Sequence, residues 1–181
     1  MIKHPKHHHG NAPQVLGIAI VTVSTTRTMD TDTSGHWISK RIHKEGHRLE
    51  NHLIIPDNQE LIVKTISDLV EQPQVNVILI TGGTGLSPDD ITIEAVTPLF
   101  TKKIPAFGYL FSYLSFEAID SAAMLSRSTA GCIKEKVVFC MPGSLNAVKL
   151  ACSQLIFPEL GHICHHVIPK NEKYFADGTT P

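Results

Sequence analysis

The sequence of 181 residues has no surplus of charge, no long apolar run and few aromatic residues. Its formal net charge is −1, so it lacks the basic surface by which proteins bind nucleic acid. None of its apolar runs approaches the roughly 20 residues that a membrane-spanning helix needs. We therefore expect a protein of the cytoplasm that binds neither nucleic acid nor membranes.

The cysteines also lack the spacing of a metal site. There are four of them, scattered through the second half of the chain: Cys132, Cys140, Cys152 and Cys164. Their mostly apolar contexts are typical of reduced thiols in the core of a cytoplasmic protein. No cysteine is therefore expected to serve as a nucleophile or a metal ligand.

The two ends of the chain differ in composition from its middle. Residues 1–14 contain a cluster of histidines beside Lys, Pro and Gly, and this composition predicts a disordered arm. Residues 169–181 are also polar and predict a loose tail. The intervening residues 15–168 contain no internal linker, and they are predicted to form a single domain.

Strand-like and helix-like stretches alternate along this middle part. Strands are predicted at 15–23, at a short segment ending at Ile55, at 75–80 and at 136–141, and helices at 35–44, 59–71, from about Thr92, within 107–125, at 144–156 and at 158–167. Such alternation is typical of parallel strands with helices on both faces of the sheet. The sequence therefore predicts a three-layer α/β/α fold with a mostly parallel central sheet.

Polar and glycine residues follow each of the four predicted strands. Ser24 follows the first strand, Asp57 the second, the segment 81–90 the third, and Pro142, Gly143 and Ser144 the fourth. Ligands of parallel sheets bind beyond the carboxyl ends of the strands. Because the fold gathers these four ends on one edge of the sheet, we predict a substrate-binding site there.

The segment after the third strand is the most informative of the four. It begins with a loop of glycine and threonine: Thr81, Gly82, Gly83, Thr84 and Gly85. Glycine has no Cβ and permits positive φ, so the backbone N–H groups of such a loop can surround a phosphate. Asp57 and Asp90 would add carboxylates of the kind that bind Mg²⁺ beside nucleotide phosphates. Loop and acids together predict a magnesium-dependent nucleotide chemistry.

Each of these polar positions also has a purely structural interpretation. Asp57 fits the N-cap of a helix, with Glu60 completing a capping box. The segment 87–90 fits the first turn of a helix, where carboxylates face the positive end of the helix dipole. Ser144 fits an N-cap as well, although the N–H groups behind it would also face an anion. The sequence leaves these alternatives open.

Several motifs, spread over about residues 15–166, carry a resemblance to a known family. They are Ile55-Pro56-Asp57, Thr81-Gly82-Gly83-Thr84-Gly85 followed by Pro88-Asp89-Asp90-Ile91-Thr92-Ile93-Glu94-Ala95, Leu125-Ser126-Arg127 with Ala130-Gly131, Met141-Pro142-Gly143-Ser144, and Pro158-Glu159-Leu160-Gly161-His162. Together they resemble the MoaB/MogA family of molybdenum-cofactor biosynthesis proteins. The segment 107–117 resembles the MoaB branch more than the MogA branch.

The resemblance implies a compact α/β/α fold. It also implies that the protein adenylylates molybdopterin, joining AMP from Mg-ATP to the terminal phosphate of the pterin and releasing pyrophosphate. It implies that the two important acids of the family fall on Asp57 and Asp90, as catalytic residues and ligands of Mg²⁺. It also implies that the pterin is bound by the loop 81–85 and by residues 142–144, and that the protein is a homotrimer or a homohexamer.

Two positions depart from the family pattern. Asp89 stands where the family often has Arg, which exchanges a positive charge beside the phosphates for a negative one. Thr25 stands where the family often has an acid. These departures leave open a second function, in which the protein binds molybdopterin as a non-catalytic carrier or scaffold.

Overall fold

The centre of the molecule is a six-stranded sheet, seen in a computed structural model that describes residues 15–168. The strands are β1 (Gly17–Val23), β2 (Arg48–Ile55), β3 (Val77–Thr81), β4 (Lys102–Lys103), β5 (Thr129–Ile133) and β6 (Lys136–Met141). Their order across the sheet is β2-β1-β3-β6-β5-β4. The predictions of an N-terminal arm and a C-terminal tail concern residues outside the described range.

Strands β2, β1, β3 and β6 are parallel, whereas at one edge β5 pairs antiparallel with β6 and β4 pairs antiparallel with β5. The helices are α1 (Thr33–Lys44), α2 (Gln59–Val70), α3 (Thr92–Val96), α4 (Pro105–Ile119), α5 (Leu145–Ala151) and α6 (Phe157–Val167). They flank the sheet, which confirms the predicted three-layer α/β/α class with a mostly parallel sheet.

The apolar run of β3 explains why helices cover both faces of the sheet. All five residues of β3 are buried. Val77 and Leu79 pack in one core cluster with residues of α1, α4, α5 and α6, whereas Ile78 and Ile80 pack in a second cluster with residues of α2 and α3. Because successive residues of a strand point to opposite faces, a continuous apolar run requires a cover on each side.

The antiparallel edge is absent from the sequence-based prediction. Strand β4 has only two residues, and β5 has Gly131 at its centre. Glycine is a weak strand former, and a two-residue strand carries no periodic signal. Strand β5 therefore forms because β6 offers it an edge, and β4 forms because β5 offers the next edge; neither pairing is visible in the local sequence.

Two predicted elements also differ in extent. Strand β2 is not short but begins at Arg48 and runs for eight residues along β1. The helix expected at 144–156 widens into a π-helical segment, Cys152–Ile156, before α6. Pro158 follows this segment and has no N–H to donate, which interrupts the regular helical hydrogen bonding.

No helix within residues 15–168 is long and apolar enough to cross a membrane.

Candidate functional site

The carboxyl ends of the four parallel strands surround an open cleft of about 490 Å³. Its lining includes ten of the eleven predicted site residues: Ser24, Asp57, Gly82, Gly83, Thr84, Gly85, Asp90, Pro142, Gly143 and Ser144. Thr81 is the exception, because it is fully buried and its hydroxyl donates to the carbonyl oxygen of Pro142 at 3.1 Å. Thr81 therefore supports the loop after β6 and does not face the cleft.

The glycine loop needs glycine at its first two glycine positions. Gly82 and Gly83 have φ of 97° and 60°, which L side chains rarely adopt. A Cβ on Gly82 would lie 2.3 Å from the carbonyl oxygen of Val23, and a Cβ on Gly83 would lie 2.4 Å from Oγ1 of Thr92. Only glycine therefore lets this backbone pack directly against the end of β1 and the start of α3.

The same loop presents a row of unpaired N–H groups. Within residues 15–168, the backbone N–H groups of Gly83, Thr84, Gly85 and Leu86 donate no hydrogen bond. The row begins at Gly83 because the N–H of Gly82 donates to the carbonyl oxygen of Met141 at 3.1 Å. Successive free N–H groups in a turn form a concavity that binds anions. The loop is therefore chemically suited to a phosphate.

Asp57 lies beyond β2 and is hydrogen bonded to the turn after β1. Its Oδ2 accepts from N and Oγ1 of Thr25 at 3.0 and 3.2 Å, whereas its Oδ1 accepts no hydrogen bond from the described residues. Interpreting Asp57 as a helix cap is wrong, because α2 is capped by Asn58, whose side chain accepts from N of Leu61 at 3.0 Å. Asp57 thus keeps one oxygen available to a ligand.

Asp90 closes a turn and does not start a helix. Its Oδ2 accepts from N of Ser87 at 3.0 Å, and its own N–H donates to the carbonyl oxygen of Ser87 at 2.9 Å. Interpreting 87–90 as the first turn of a helix is wrong, because α3 begins only at Thr92. Within the described range Oδ1 of Asp90 accepts no hydrogen bond, so this carboxylate also keeps one oxygen available.

Ser24 and Ser144, the two predicted serines in the cleft lining, accept hydrogen bonds from backbone N–H groups. Oγ of Ser24 accepts from N of Thr26 and N of Arg27 at 3.3 and 3.2 Å, which fixes the turn after β1. Ser144 caps α5 by accepting from N of Ala147 at 3.3 Å, which confirms the N-cap interpretation. Both side chains therefore have a structural role in addition to their place in the cleft lining.

A buried carboxylate behind the cleft is a feature that the sequence analysis missed. Asp32 caps α1 and has no exposed surface. It accepts hydrogen bonds from Thr22 Oγ1 at 2.6 Å, from Gly35 N at 3.0 Å and from His52 Nε2 at 3.0 Å. Burial alone would raise the pKa of the Asp32 carboxyl, but these hydrogen bonds to the ionised form outweigh it and lower the pKa below its ordinary value.

Arg27 connects this carboxylate to the loop after β6. Its Nη1 lies 3.4 Å from Oδ1 of Asp32, and its Nη2 donates to the carbonyl oxygen of Gly143 at 2.9 Å. The hydroxyl of Ser34 donates to the same carbonyl at 2.8 Å. Arg27 is separated from Gly143 by 116 positions. Because of this large separation along the sequence, the sequence gives no sign that Arg27 and Gly143 are in contact.

Arg127 holds the opposite side of the cleft. Its Nε donates to the carbonyl oxygens of Thr84 and Gly85, both at 3.0 Å, and its Nη2 donates to that of Asp90 at 3.3 Å. Both terminal nitrogens also donate to the carboxylate of Glu94. The hydrogen bond with Glu94 raises the pKa of Arg127 and lowers the pKa of Glu94. The one signal in the sequence is the motif Leu125-Ser126-Arg127.

The donor set fits a magnesium ion that arrives with a nucleotide. Within residues 15–168, no three or more His, Cys, Asp or Glu side chains form a group that could hold a metal ion. Mg²⁺ is usually bound through one or two carboxylates together with substrate phosphates and water. Asp57 and Asp90, each with one oxygen that accepts no hydrogen bond, match this pattern of binding and do not match an all-protein cage.

The four cysteines are free and buried, as predicted for core thiols. Burial raises the pKa of Cys140, and it raises the pKa of Cys152 and of Cys164 to about 12. Thiols with such pKa values are not nucleophiles at neutral pH, and none of the four lines the cleft.

Fold and cleft together define an α/β protein whose parallel strands end at a site suited to an anionic ligand. A family model described as a probable molybdopterin binding domain matches residues 19–162. The chain therefore belongs to the MoaB/MogA family of molybdenum-cofactor biosynthesis proteins, as the resemblance of its motifs implies.

Individual relatives agree with this assignment. The chain is 41% identical over 161 residues to molybdenum cofactor biosynthesis protein B of Bacillus subtilis, and the alignment covers 88% of this chain and 95% of that protein. A crystal structure of molybdenum cofactor biosynthesis protein B matches with a TM-score of 0.84 at 44% identity, covering 87% of this chain and 98% of the other. The tungsten cofactor synthesizing protein MoaB from Pyrococcus furiosus matches with a TM-score of 0.78 at 34% identity, covering 87% and 100%.

Proposed function

We propose that this protein is a molybdopterin adenylyltransferase that transfers AMP from Mg-ATP to the terminal phosphate of molybdopterin. An oxygen of the pterin phosphate forms a bond to the α-phosphorus of ATP, the bond from that phosphorus to the bridging α–β oxygen breaks, and pyrophosphate leaves. Membership of a family whose model is described as a probable molybdopterin binding domain supports the pterin as the acceptor.

One observation carries the proposal. Two carboxylates, Asp57 and Asp90, each keep an oxygen that accepts no hydrogen bond from the described residues, and both line the same cleft as the unpaired N–H groups of Gly83 to Gly85. The N–H groups bind phosphate oxygens, and the carboxylates hold the metal ion that a nucleotide brings. A Cβ on Gly83 would lie 2.9 Å from Oδ1 of Asp57, so the loop and this acid are close neighbours.

Magnesium bound at Asp57 and Asp90 would neutralise the charge that develops on the departing pyrophosphate. Positioning and electrostatic stabilisation supply nearly all of the catalysis in phosphoryl-type transfers. No covalent nucleophile is therefore required of the protein, which agrees with the buried state of its thiols.

The direct test is to incubate the purified protein with molybdopterin and Mg-ATP. We expect adenylated pterin and pyrophosphate in equal amounts. Asp90→Asn should lower the rate by about a hundredfold or more, because one removed charge-stabilising group commonly costs 10²–10³ in rate, while pterin binding persists. Asp68→Asn is the matched control, because Asp68 is an exposed aspartate of α2 that lies outside the cleft lining. Turnover of Asp90→Asn at the wild-type rate would reject the assignment.

A second candidate function, a non-catalytic carrier of molybdopterin, is favoured by Asp89. This exposed carboxylate adds a negative charge next to Asp90, at the edge of a cleft that would hold two polyanionic substrates. Molybdopterin that binds to the wild-type protein while ATP stays intact would support the carrier and exclude the transferase.

We also propose that the protein is a cytoplasmic homotrimer or homohexamer. The support is an apolar surface on α4 and on the segment 120–125 that follows it, where Tyr109 is 77% exposed and Met124 is 83% exposed. Exposed apolar surface of this kind is typical of contacts between proteins. Sedimentation equilibrium of the full chain measures the assembly, and a monomer at micromolar concentration would contradict it.

A further inference from the structure

One side of the cleft, the glycine-loop side, is formed by the loop residues 82–85 and Asp90, and Arg127 stabilises it. This side chain is absent from the lining of the cleft, yet it donates hydrogen bonds to the carbonyl oxygens of Thr84, Gly85 and Asp90. We propose that Arg127 is a positioning residue that sets the glycine loop in the orientation needed to bind a phosphate group. The proposal rests on the proposed function, from which it takes its phosphorylated ligands.

The orientation follows from the planarity of the peptide bond. A trans peptide places its C=O and its N–H on opposite sides of the chain. Because the carbonyl oxygens of Thr84 and Gly85 turn toward Arg127, the N–H groups of Gly85 and Leu86 turn away from it. These two N–H groups belong to the row that donates no hydrogen bond within residues 15–168.

A constraint on these two peptides is needed because Gly85 lies between them. Glycine populates positive and negative φ about equally, so both orientations of the adjoining peptides are accessible to a free loop. Each hydrogen bond from Nε of Arg127 favours the orientation with the carbonyl on its own side. The third bond, to the carbonyl of Asp90, fixes the backbone of the proposed metal ligand in the same way.

Glu94 orients the guanidinium for this task. Its two carboxylate oxygens accept from the two terminal nitrogens of Arg127, in the two-point geometry that arginine forms with carboxylates. Glu94 is in α3, so the pair joins the loop, α3 and the segment before β5. The raised pKa of Arg127 and the lowered pKa of Glu94 agree with a pair that stays ionised.

Positioning differs from simple attraction of phosphate by a positive charge. Attraction at a distance requires only the charge, which lysine also carries. Positioning requires the planar fork, which lysine lacks. Arg127→Lys therefore separates the two roles, and Arg127→Gln removes both.

The experiment measures binding in two separate arms, by calorimetric titration with Mg-ATP without pterin and with molybdopterin without ATP. For Arg127→Lys and Arg127→Gln we expect affinity for at least one ligand to fall about tenfold or more, since the loss of one hydrogen bond to a charged phosphate has an effect of this size. Glu94→Gln should lower the same affinity by a smaller factor. The arm that changes identifies whether the loop binds a phosphate of ATP or that of the pterin.

A second readout addresses the loop itself. Hydrogen exchange at the amides of Asp90 and Thr92, which donate to the carbonyl oxygens of Ser87 and Gly83, should be faster in Arg127→Lys than in the wild type, while the amides of β3 keep their protection. Arg48→Lys and Glu71→Gln are the matched controls, because these residues form exposed ion pairs with Glu50 and Lys134 and neither lines the cleft. Both controls should leave affinity and exchange unchanged.

Wild-type affinity of Arg127→Lys for both ligands would overturn the proposal, and a loss confined to Arg127→Gln would assign the residue to charge attraction instead. Unchanged exchange at Asp90 and Thr92 would also overturn it. The binding arms need no turnover, so they remain informative if the wild-type protein transfers no AMP. That result would reject the proposed function while the affinities still decide the role of Arg127.

Discussion

Two arginines hold the two sides of the cleft with the same chemistry at different depths. Arg27 donates to the carbonyl of Gly143 and pairs with Asp32, whose side chain is 0% exposed. Arg127 donates to the carbonyls of the glycine loop and pairs with Glu94, whose side chain is 52% exposed. Similar hydrogen bonds therefore have different roles on the two sides, because the free-energy cost of removing a carboxylate depends on its access to water.

On the buried side, Asp32 links β1, α1 and β2 through Thr22, Gly35 and His52. Loss of this carboxylate leaves buried donors without a partner, and that penalty falls on the stability of the fold. On the glycine-loop side, which is exposed, water can solvate Arg127 when Glu94 is removed. The ion pair of Arg127 with Glu94 therefore contributes little to the stability of the fold. Its contribution is to the local order of the loop.

Removal of the Asp32 carboxylate, on the buried side of the cleft, should lower the stability of the protein most. Asp32→Ala should lower the free energy of unfolding by about 3–5 kcal/mol, the usual cost of removing one partner from a buried charged network. Urea denaturation measures the change. Asp30→Ala is the control, because Asp30 is exposed two positions away and should cost under about 0.5 kcal/mol. A loss below about 1 kcal/mol for Asp32→Ala would refute the contrast between the two sides.

The next largest effect concerns the close packing of Gly83 against Thr92 on the glycine-loop side. Gly83→Ala should destabilise the protein by about 2 kcal/mol or more and abolish ligand binding, because it adds a steric conflict to the strain of a positive φ. Gly46→Ala is a matched control, since Gly46 has φ of 80° and a Cβ there would meet nothing within 4 Å. It should cost only about 1 kcal/mol. Equal costs at both positions would show that the packing against Thr92 contributes nothing.

Acid should selectively weaken the buried side. The pKa of Asp32 is lowered in the folded state, so its contribution is fully present above its unfolded pKa of about 3.9 and is lost as the pH falls through the lower folded value. The difference in unfolding free energy between wild type and Asp32→Asn should therefore stay constant from about pH 7 to 5 and shrink below about pH 4. Urea titrations at several pH values measure it, and a difference that grows in acid would contradict the sign.

The smallest expected effect on stability is at the exposed pair. Glu94→Gln should change the free energy of unfolding by less than about 1 kcal/mol, because exposed ion pairs contribute little. Glu71→Gln, which removes the partner of Lys134, should have a similar effect on thermal unfolding. A loss for Glu94→Gln as large as that for Asp32→Ala would show that the exposed pair also supports the fold.

Much of the fold was accessible from local patterns. The buried run 77–80 predicts a strand covered on both faces, and the alternation with helical segments predicts the parallel sheet. Strands β4 and β5 were not accessible, because the glycine-centred β5 forms a strand only along β6, and the two-residue β4 only along β5. Local propensity is silent where long-range pairing decides the structure.

The candidate site divides in a similar way. The sequence places Asp57, Asp90 and the glycines at the ends of neighbouring strands, and the structure gathers them in one cleft. The sequence leaves open whether Asp57 caps a helix, and only the structure gives that role to Asn58. No sequence pattern predicts the hydrogen bonds of Asp32, because only folding brings Thr22 and His52 next to it.

The class of sheet, the glycine loop and the order of the strand ends follow from the sequence, because periodic burial and glycine conformation are properties of short segments. Which side chains hold the loops depends on the three-dimensional packing. Arg27 and Arg127 reach carbonyl groups 116 and 37 to 43 positions away. Contacts at such separations depend on the packing of whole layers, and no short stretch of residues specifies that packing.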